Sequence, residues 1–234
     1  MKDKKIKKKK IELSEKLLPI KEDFKKTFSW RIFKIMAEFV AGFEFISKLD
    51  KKSASIFGAT RFLPDHPDYQ KAQKMGKLLA QEGYTVITGG GPGIMEAANR
   101  GASEAGGQSI GMNIELPSVQ RSNHYLNHST SFYYFFTRKV MISFSSSVYL
   151  FFPGGYGTLD EFFEMIVLLQ TRKLSHSVII IAVGKDYWQP FFTWLEKDVC
   201  GRHQAITKKE LKLFKLVDTP EEAMAYIKSN GPMA

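Results

Sequence analysis

From residue 53 onward, short apolar runs alternate with amphipathic stretches, a pattern that predicts strands alternating with helices. The clearest strand is Ser177–Val183 (SVIIIAV), a nearly continuous apolar run of the kind found in strands that are covered on both faces. Regular alternation of this kind implies right-handed crossovers and a parallel sheet. We therefore predict a Rossmann-like, doubly wound α/β fold, with helices on both faces of a mainly parallel sheet.

The same pattern predicts the individual elements. The predicted strands are Ser53–Thr60, Thr85–Thr88, Gln108–Ile114, Ser131–Phe136, Ser147–Phe152, Ser177–Val183 and Leu213–Val217. The predicted helices are Tyr69–Gln81, a helix directly after Gly93, Thr137–Ser145, Leu159–Arg172, Trp188–Val199 and Pro220–Lys228. In this architecture ligands bind outside the carboxyl ends of the strands, so the turns that follow strands are the first places to look for chemistry.

The N-terminal part of the chain differs from this body. We predict a basic disordered tail over residues 1–10, a helical extension over 11–50 and the α/β domain over 51–234. Apolar residues recur at helical spacing within the extension, at Ile32, Met36, Phe39, Phe43 and Ile46. We interpret this stripe as a helix packed on the body or on a second subunit. A membrane-surface helix is the alternative, and Glu38 and Glu44 argue against it.

Composition and charge exclude several classes of function. The 234 residues carry a net charge of +10, but the segment Lys2–Lys10 contributes +6, so the rest of the chain is too mildly basic for a nucleic-acid-binding domain. The single cysteine, Cys200, allows no intramolecular disulfide and is typical of a reducing compartment. With no signal peptide or membrane span in the sequence, we expect a cytoplasmic protein without stable membrane association. The five histidines lack metal-ligand spacing, so we expect no metal.

The most informative segment is the turn after the fifth predicted strand, Pro153–Glu161 (PGGYGTLDE). Its glycines form a flexible cradle, and Thr158 adds a hydroxyl at the start of the next helix, which together predict a site for a phosphate group. Glu161, one turn further on, would face whatever is bound there. The alternative is that Thr158 and Glu161 form a helix-capping pair, which would not explain the three glycines Gly154, Gly155 and Gly157.

Two further segments carry weaker signals. The turn Gly89–Met95 follows the second strand and opens a helix, so it either approaches an anion or is a tight turn without a ligand. Arg138, which we place at the end of the predicted strand Ser131–Phe136, is suited to bridging two phosphate oxygens or holding a carboxylate. A plain surface arginine is the alternative.

Three motifs together resemble the LONELY GUY (LOG) family, the cytokinin-activating phosphoribohydrolases that were long called lysine decarboxylases. They are PGGYGTLDE (Pro153–Glu161), FFTRKVM (Phe135–Met141) and TGGGPGIMEAANRGA (Thr88–Ala102), and the resemblance covers about residues 53–230. It implies a nucleotide-binding catalytic domain that hydrolyses the N-glycosidic bond of a nucleoside 5′-monophosphate, AMP or a cytokinin-type N6-modified AMP. The products are the free base and ribose 5-phosphate, and the resemblance implies a homodimer that needs no cofactor.

The resemblance also implies roles for individual residues. Arg138 and Glu161 match the catalytic arginine and glutamate of the family. The residues that match its phosphate-binding loop are Gly154, Gly155, Gly157 and Thr158. Further candidates for substrate binding are Gly90, Gly91, Gly93, Glu96, Lys139 and Asp160. Glu96 stands where plant-type members have a glycine, which bears on the base or ribose preference.

Two other functions compete with this interpretation. A carrier of the same fold, similar to the molybdenum-cofactor carrier proteins, would bind a phosphorylated ligand without hydrolysing it. A decarboxylase would need a lysine that forms a Schiff base with pyridoxal phosphate, and no motif in the sequence supplies that context.

Overall fold

The computed structural model describes residues 20–49, 52–115, 122–174 and 177–231, with the backbone alone for 20–27 and 29. Within them, seven strands form one sheet: β1 (Ser53–Phe57), β2 (Thr85–Thr88), β3 (Ser109–Ile114), β4 (His128–Phe132), β5 (Val148–Phe151), β6 (Ile179–Val183) and β7 (Lys215–Val217). Their order across the sheet is β4-β3-β2-β1-β5-β6-β7, and every neighbouring pair is parallel. This confirms the predicted parallel, Rossmann-like fold.

Helices cover both faces of the sheet. They are α1 (Ile20–Ser47), α2 (Pro67–Gln81), α3 (Ile94–Glu104), α4 (Phe135–Phe144), α5 (Tyr156–Gln170), α6 (Lys185–Trp194), which continues as a π-helical segment (Leu195–Arg202), and α7 (Pro220–Asn230). Buried residues of α2, α3 and α7 form one hydrophobic core with the sheet, and those of α4, α5 and α6 form the other. All five residues of β6 are buried, because alternate side chains enter opposite cores.

The direction in which strands are added to the sheet reverses between β1 and β5. From β1 the chain adds β2, β3 and β4 on one side, and it then returns through α4 to β5 on the other side of β1. Neighbouring strands whose connections leave in opposite directions form a topological switch point, where open α/β sheets bind ligands. The backbone N–H of Ala59, after β1, donates to the carbonyl of Pro153, after β5, at 2.9 Å. The glycine-rich turns after β2 and β5 therefore lie along the same edge of the sheet.

One predicted strand is wrong. The strand predicted over Ser131–Phe136 is β4, which ends at Phe132, and the aromatic residues Phe135 and Phe136 begin helix α4 instead. Those two side chains are 59% and 48% exposed, so their apolar character does not reflect a buried strand. Because β4 lies at the edge of the sheet, polar residues suffice to form it. Arg138 consequently lies in the first turn of α4, as the predicted helix Thr137–Ser145 implies, and not at the end of a strand.

The N-terminal part divides between two compact units, Met1–Ala37 and Glu38–Ala234. In the first unit the described residues form the helix from Ile20 onward, and residues 1–19, with the predicted tail, lie outside the described residues. In the second unit, the remainder of α1 packs on the core through Phe39, Phe45 and Ile46, of which Phe39 and Ile46 belong to the predicted stripe. The other stripe residues, Ile32, Met36 and Phe43, are 42%, 57% and 49% exposed. None of the helices in the described ranges is long and apolar enough to cross a membrane. The domain boundaries at residues 10 and 50 stay predictions.

Candidate active site

The turn after β5 opens directly into helix α5. The helix begins at Tyr156, three residues earlier than predicted, with Gly155 as its N-cap. The Gly155 carbonyl accepts the N–H groups of Thr158 and Leu159 at 3.0 and 3.1 Å, which places Gly157 and Thr158 in the first turn. The first N–H groups of a helix have no carbonyl partner within it, and the first turn of α5 contains no acidic residue. The positive end of the helix dipole is therefore available to an anion.

The three glycines of this turn have different surroundings. A side chain at Gly154 would collide with the side chain of Thr158, and the Gly154 carbonyl accepts a hydrogen bond from the Tyr187 hydroxyl at 2.6 Å. At Gly155 and Gly157, by contrast, an added methyl group would meet no described atom within 4 Å. Gly154 is thus required for the fold of the turn, whereas Gly155 and Gly157 border open space that a ligand can approach.

Glu161 lies in the second turn of α5 and is only 7% exposed. Its Oε2 atom is buried and has no hydrogen-bond partner among the described residues. Burial raises the pKa of the Glu161 carboxyl above its usual range, and the nearby charges of Arg138 and Lys139 lower it without cancelling the effect. The predicted alternative of a capping pair with Thr158 is not formed, because Gly155 occupies the N-cap. This carboxylate oxygen is therefore available to accept a hydrogen bond from a bound molecule.

Arg138 faces Glu161 from the first turn of α4. Its Nε donates to the Met112 carbonyl of β3 at 2.8 Å, and its guanidinium lies so close to Gly89, after β2, that any side chain at Gly89 would collide with it. Burial lowers the pKa of Arg138, while the Glu161 charge raises it. The side chain is half-buried, so the alternative of a plain surface arginine is wrong. Arg138 thus lies between the turn after β2 and the carboxylate on α5.

Lys139 and Asp160 bind each other. The Lys139 Nζ lies 2.9 Å from Asp160 Oδ2 and 3.4 Å from Glu164 Oε2, which ties α4 to α5. Burial lowers the pKa of Lys139, but the hydrogen bond to Asp160 and the charges of Glu161, Asp160 and Glu164 outweigh it, so the pKa is raised overall. In this structure the pair connects the two helices that carry Arg138 and Glu161.

The turn after β2 is tightly packed. Gly90 and Gly93 both have φ of +72°, which favours glycine. A side chain at Gly90 would collide with Asn113, and one at Gly93 with the backbone after β1. The carbonyl of Gly91 accepts from Asn123 Nδ2 at 3.1 Å. The close contacts and the positive φ account for Gly90 and Gly93, in keeping with the predicted alternative of a tight turn.

Glu96 lies in the first turn of α3, where its Oε1 accepts a hydrogen bond from the hydroxyl of buried Tyr69 at 3.1 Å. Burial, reinforced by the Glu96 charge, raises the pKa of Tyr69 to about 12, so the phenol remains a donor at neutral pH. A carboxylate of the protein itself therefore occupies the positive end of α3, while that of α5 is free of acidic residues. Of the two glycine-rich turns, the one after β5 is better suited to a phosphate.

Sequence reasoning did not find several residues around the site. The side-chain amide of Asn113 lies beside Gly90, and its buried Oδ1 has no hydrogen-bond partner among the described residues. Its Nδ2 donates to the Ser122 hydroxyl at 2.6 Å. Tyr187 anchors the turn after β5 through Gly154. Asn113 could have been found as a polar residue near the carboxyl end of a predicted strand. No local feature of the sequence indicates a role for Tyr187. Among the described residues no group of three or more His, Cys, Asp or Glu is placed to hold a metal ion.

Comparison with known proteins identifies the family of the chain. The family model described as "Possible lysine decarboxylase" matches residues 95–227, which is more than half of the chain. The chain belongs to this family. Relatives named as cytokinin riboside 5′-monophosphate phosphoribohydrolases confirm the predicted resemblance to the LOG family within it.

The relatives are distant and matched only in part. A probable cytokinin riboside 5′-monophosphate phosphoribohydrolase of Oryza sativa subsp. japonica is 28% identical over 131 residues, 55% of this chain and 52% of the relative. The enzyme of that name from Rhodococcoides fascians is 24% identical over 130 residues, 54% of this chain and 65% of the relative. An uncharacterized protein of Archaeoglobus fulgidus is 33% identical over 97 residues, which are 42% of this chain and 63% of the relative. The chain thus spans about half to two-thirds of the length of these relatives.

Solved structures show the same fold. The molybdenum cofactor binding protein from Rippkaea orientalis matches with a TM-score of 0.59 at 22% identity, over 78% of this chain and 98% of that one. The molybdenum cofactor carrier protein from Chlamydomonas reinhardtii matches with a TM-score of 0.54 at 22% identity, over 77% of this chain and 98% of that one. At this level of identity the likeness establishes the architecture alone.

Proposed function

We propose that the protein hydrolyses the N-glycosidic bond of a nucleoside 5′-monophosphate, AMP or a cytokinin-type N6-modified AMP, to the free base and ribose 5-phosphate. The observation that carries this proposal is the buried, unpartnered Oε2 of Glu161. Residues four apart are neighbours on a helix surface, so Glu161 lies one turn below Gly157 and the open space that Gly157 borders. A ligand bound at the start of α5 would therefore meet the carboxylate.

The first turn of α5 is the proposed phosphate subsite. Its unpaired N–H groups, the hydroxyl of Thr158 and the open space beside Gly155 and Gly157 suit a phosphate dianion. Phosphate binding supplies energy remote from the reacting bond and fixes the sugar in place. We therefore expect nucleosides without the phosphate to be much poorer substrates than the monophosphates.

Glu161 is the proposed catalytic carboxylate. Departure of the base builds oxocarbenium character at the ribose C1′, as in glycoside hydrolysis generally, and a carboxylate in a water-poor site stabilises that charge and orients the attacking water. The carboxyl must be ionised for this role although burial raises its pKa. Arg138 lowers the pKa of Glu161 and so favours the reactive form, and its remaining N–H groups are available to a substrate anion.

The lysine chemistry of a decarboxylase suits this site less well. A Schiff base forms from a neutral amine, which requires a lysine with a lowered pKa. Lys139, the lysine beside Arg138 and Glu161, has a raised pKa and is engaged by Asp160 and Glu164. These neighbours favour the charged ammonium form.

We also propose a homodimer, as the LOG resemblance implies. Helix α4 presents Phe135, Phe136 and Phe144 to solvent in the single chain, each about half-exposed, and apolar residues of this kind are enriched at subunit interfaces. Light scattering at micromolar concentration tests this, and a monomer would contradict it.

A panel of nucleoside 5′-monophosphates, each with its matched nucleoside, tests the activity. Free base and ribose 5-phosphate are followed by chromatography after incubation with the purified protein. We expect equimolar release of both products from one or a few monophosphates and at least a hundredfold slower release from the nucleosides. Tight binding of a phosphorylated ligand without any release would favour the carrier function instead.

A further inference from the structure

Helix α4, which carries Arg138, is capped by a residue that is distant in sequence. Glu38 of α1 accepts a hydrogen bond from the Tyr133 N–H at 2.9 Å with Oε1, and from the Tyr134 N–H at 3.3 Å and the Thr137 hydroxyl at 2.6 Å with Oε2. Tyr134 is the N-cap of α4, and its own side chain makes no capping bond. The carboxylate of Glu38 thus binds the backbone at the N-cap and at the residue before it, as the acidic residue of a capping box does from within its own helix.

A carboxylate is the favourable group at this position. The helix dipole attracts negative charge to this end, and a carboxylate that accepts the N–H of the N-cap residue is a recurrent way of stabilising the start of a helix. The Thr137 hydroxyl joins the two sides of the contact, since it donates to Glu38 and also lies 2.8 Å from the Tyr134 carbonyl. Arg138 is the next residue along this turn, so its backbone is fixed by the same contact.

A second contact holds α1 and α4 together further along both helices. Gly42, one turn after Glu38, lies so close to Met141 that any side chain at Gly42 would collide with the Met141 thioether. On its other side α4 is tied to α5 through Lys139 and Asp160. Helix α4 is therefore held between α1 and the helix that carries Glu161.

We propose that Glu38 is a positioning residue for the active site. By fixing the start of α4, it holds the Arg138 guanidinium against the Met112 carbonyl and Gly89, opposite Glu161. The part of the N-terminal extension from Glu38 onward then positions a residue of the site, in addition to packing on the core. This inference rests on the proposed function, in which Arg138 acts beside Glu161.

The test compares Glu38→Gln with Glu44→Gln, which removes a carboxylate from the same helix whose hydrogen-bonded partner is the exposed Lys48. An amide at residue 38 keeps one acceptor oxygen and loses at least one of the three bonds. We expect kcat for the preferred monophosphate to fall on the order of 10- to 100-fold in Glu38→Gln, because small misplacements of catalytic groups cost this much. Glu44→Gln should match the wild type within about twofold.

The pH profile separates positioning from a structural role. With Arg138 displaced, the pKa of Glu161 rises, so the acid limb of the kcat profile should move to higher pH in Glu38→Gln. A variant that is only partly folded would lose activity equally at all pH values, with no shift, and that result would overturn the inference. Thr137→Val removes one bond with little change in shape and should shift the limb in the same direction, whereas Thr137→Ser keeps the hydroxyl and should restore the wild-type profile.

Hydrogen exchange gives a readout that does not depend on hydrolysis. Amides of residues 133–141 should exchange at least tenfold faster in Glu38→Gln than in Glu44→Gln, while those of α5 stay unchanged. Unchanged exchange in 133–141 would overturn the role of Glu38 whatever the activity. A wild-type protein that hydrolyses nothing would instead refute the proposed function, and the exchange result would still decide whether Glu38 holds α4.

Discussion

The Glu161→Gln substitution probes a conflict between stability and catalysis in this site. Burial raises the pKa of Glu161 despite the opposing charges of Arg138 and Lys139, so the ionised carboxylate costs the folded state free energy at neutral pH. Its Oε2 atom also lacks a hydrogen-bond partner among the described residues. Glutamine has nearly the same shape but no charge to desolvate. We therefore expect Glu161→Gln to unfold at a higher temperature than the wild type while losing the proposed activity.

The size of the effect follows from the cost of an unsatisfied buried polar group, about 1–3 kcal/mol. Part of this cost remains because the amide is also polar, and the attraction to Arg138 is lost. A net gain of about 1 kcal/mol is expected, which raises Tm by about 2–4 °C for a chain of this size. Both quantities are measured by thermal and denaturant unfolding at pH 7.

The pH dependence of unfolding tests whether the charge of Glu161 destabilises the folded protein. A carboxyl whose pKa is higher in the folded than in the unfolded state destabilises the fold above the folded pKa and has no effect below the unfolded pKa, near 4.5. The difference between Glu161→Gln and the wild type should therefore be largest at neutral pH and shrink as the pH falls through the pKa of Glu161. Glu164→Gln, on the same helix but half-exposed and paired with Lys139, is the control and should change stability by less than about 1 kcal/mol. A Glu161→Gln protein less stable than the wild type at pH 7 would refute this reasoning.

Three further predictions address the site. Arg138→Met removes a charge that lowers the pKa of Glu161, so the acid limb of the pH–rate profile should move to higher pH, and an unmoved limb would contradict the pairing. Gly157→Ala meets no described atom, so the fold should keep its Tm within about 2 °C while nucleotide affinity, measured by calorimetry, falls at least tenfold; unchanged affinity would rule out a phosphate beside Gly157. Gly154→Ala collides with Thr158 and should lower Tm by several degrees even without nucleotide, and a Tm like that of the wild type would show that the turn adapts.

The sequence pattern predicted the sheet well because strands buried on both faces are apolar at nearly every position. The run Ile179–Val183 is apolar at every position, as a strand between two helix layers must be. The edge strand β4 has no such apolar run, and the predicted strand wrongly included the aromatic residues that follow β4. At an edge, pairing with a single neighbour decides the strand, and the hydrophobic pattern does not.

The candidate site was predictable where its residues lie close together along the chain. Glycines and an acidic residue within Pro153–Glu161 suggested an anion subsite with a carboxylate beside it. The burial of Glu161 and the contact of Arg138 with Gly89 depend on how α4 and α5 pack, which no local pattern encodes. Glu38 reaches α4 across about 95 residues of sequence, so its role became visible only in the folded chain.

The most direct test of the account is to incubate AMP, or the preferred monophosphate of the panel, with the wild type, Glu161→Gln and Glu164→Gln, and to measure both product release and nucleotide affinity. We expect the wild type and Glu164→Gln to release base and ribose 5-phosphate in equal amounts. Glu161→Gln should be slower by a factor on the order of 10²–10⁴, with affinity within about tenfold of the wild type, because only the transition-state interaction is lost. Hydrolysis at the wild-type rate by Glu161→Gln would contradict the central claim that this buried carboxylate carries the reaction.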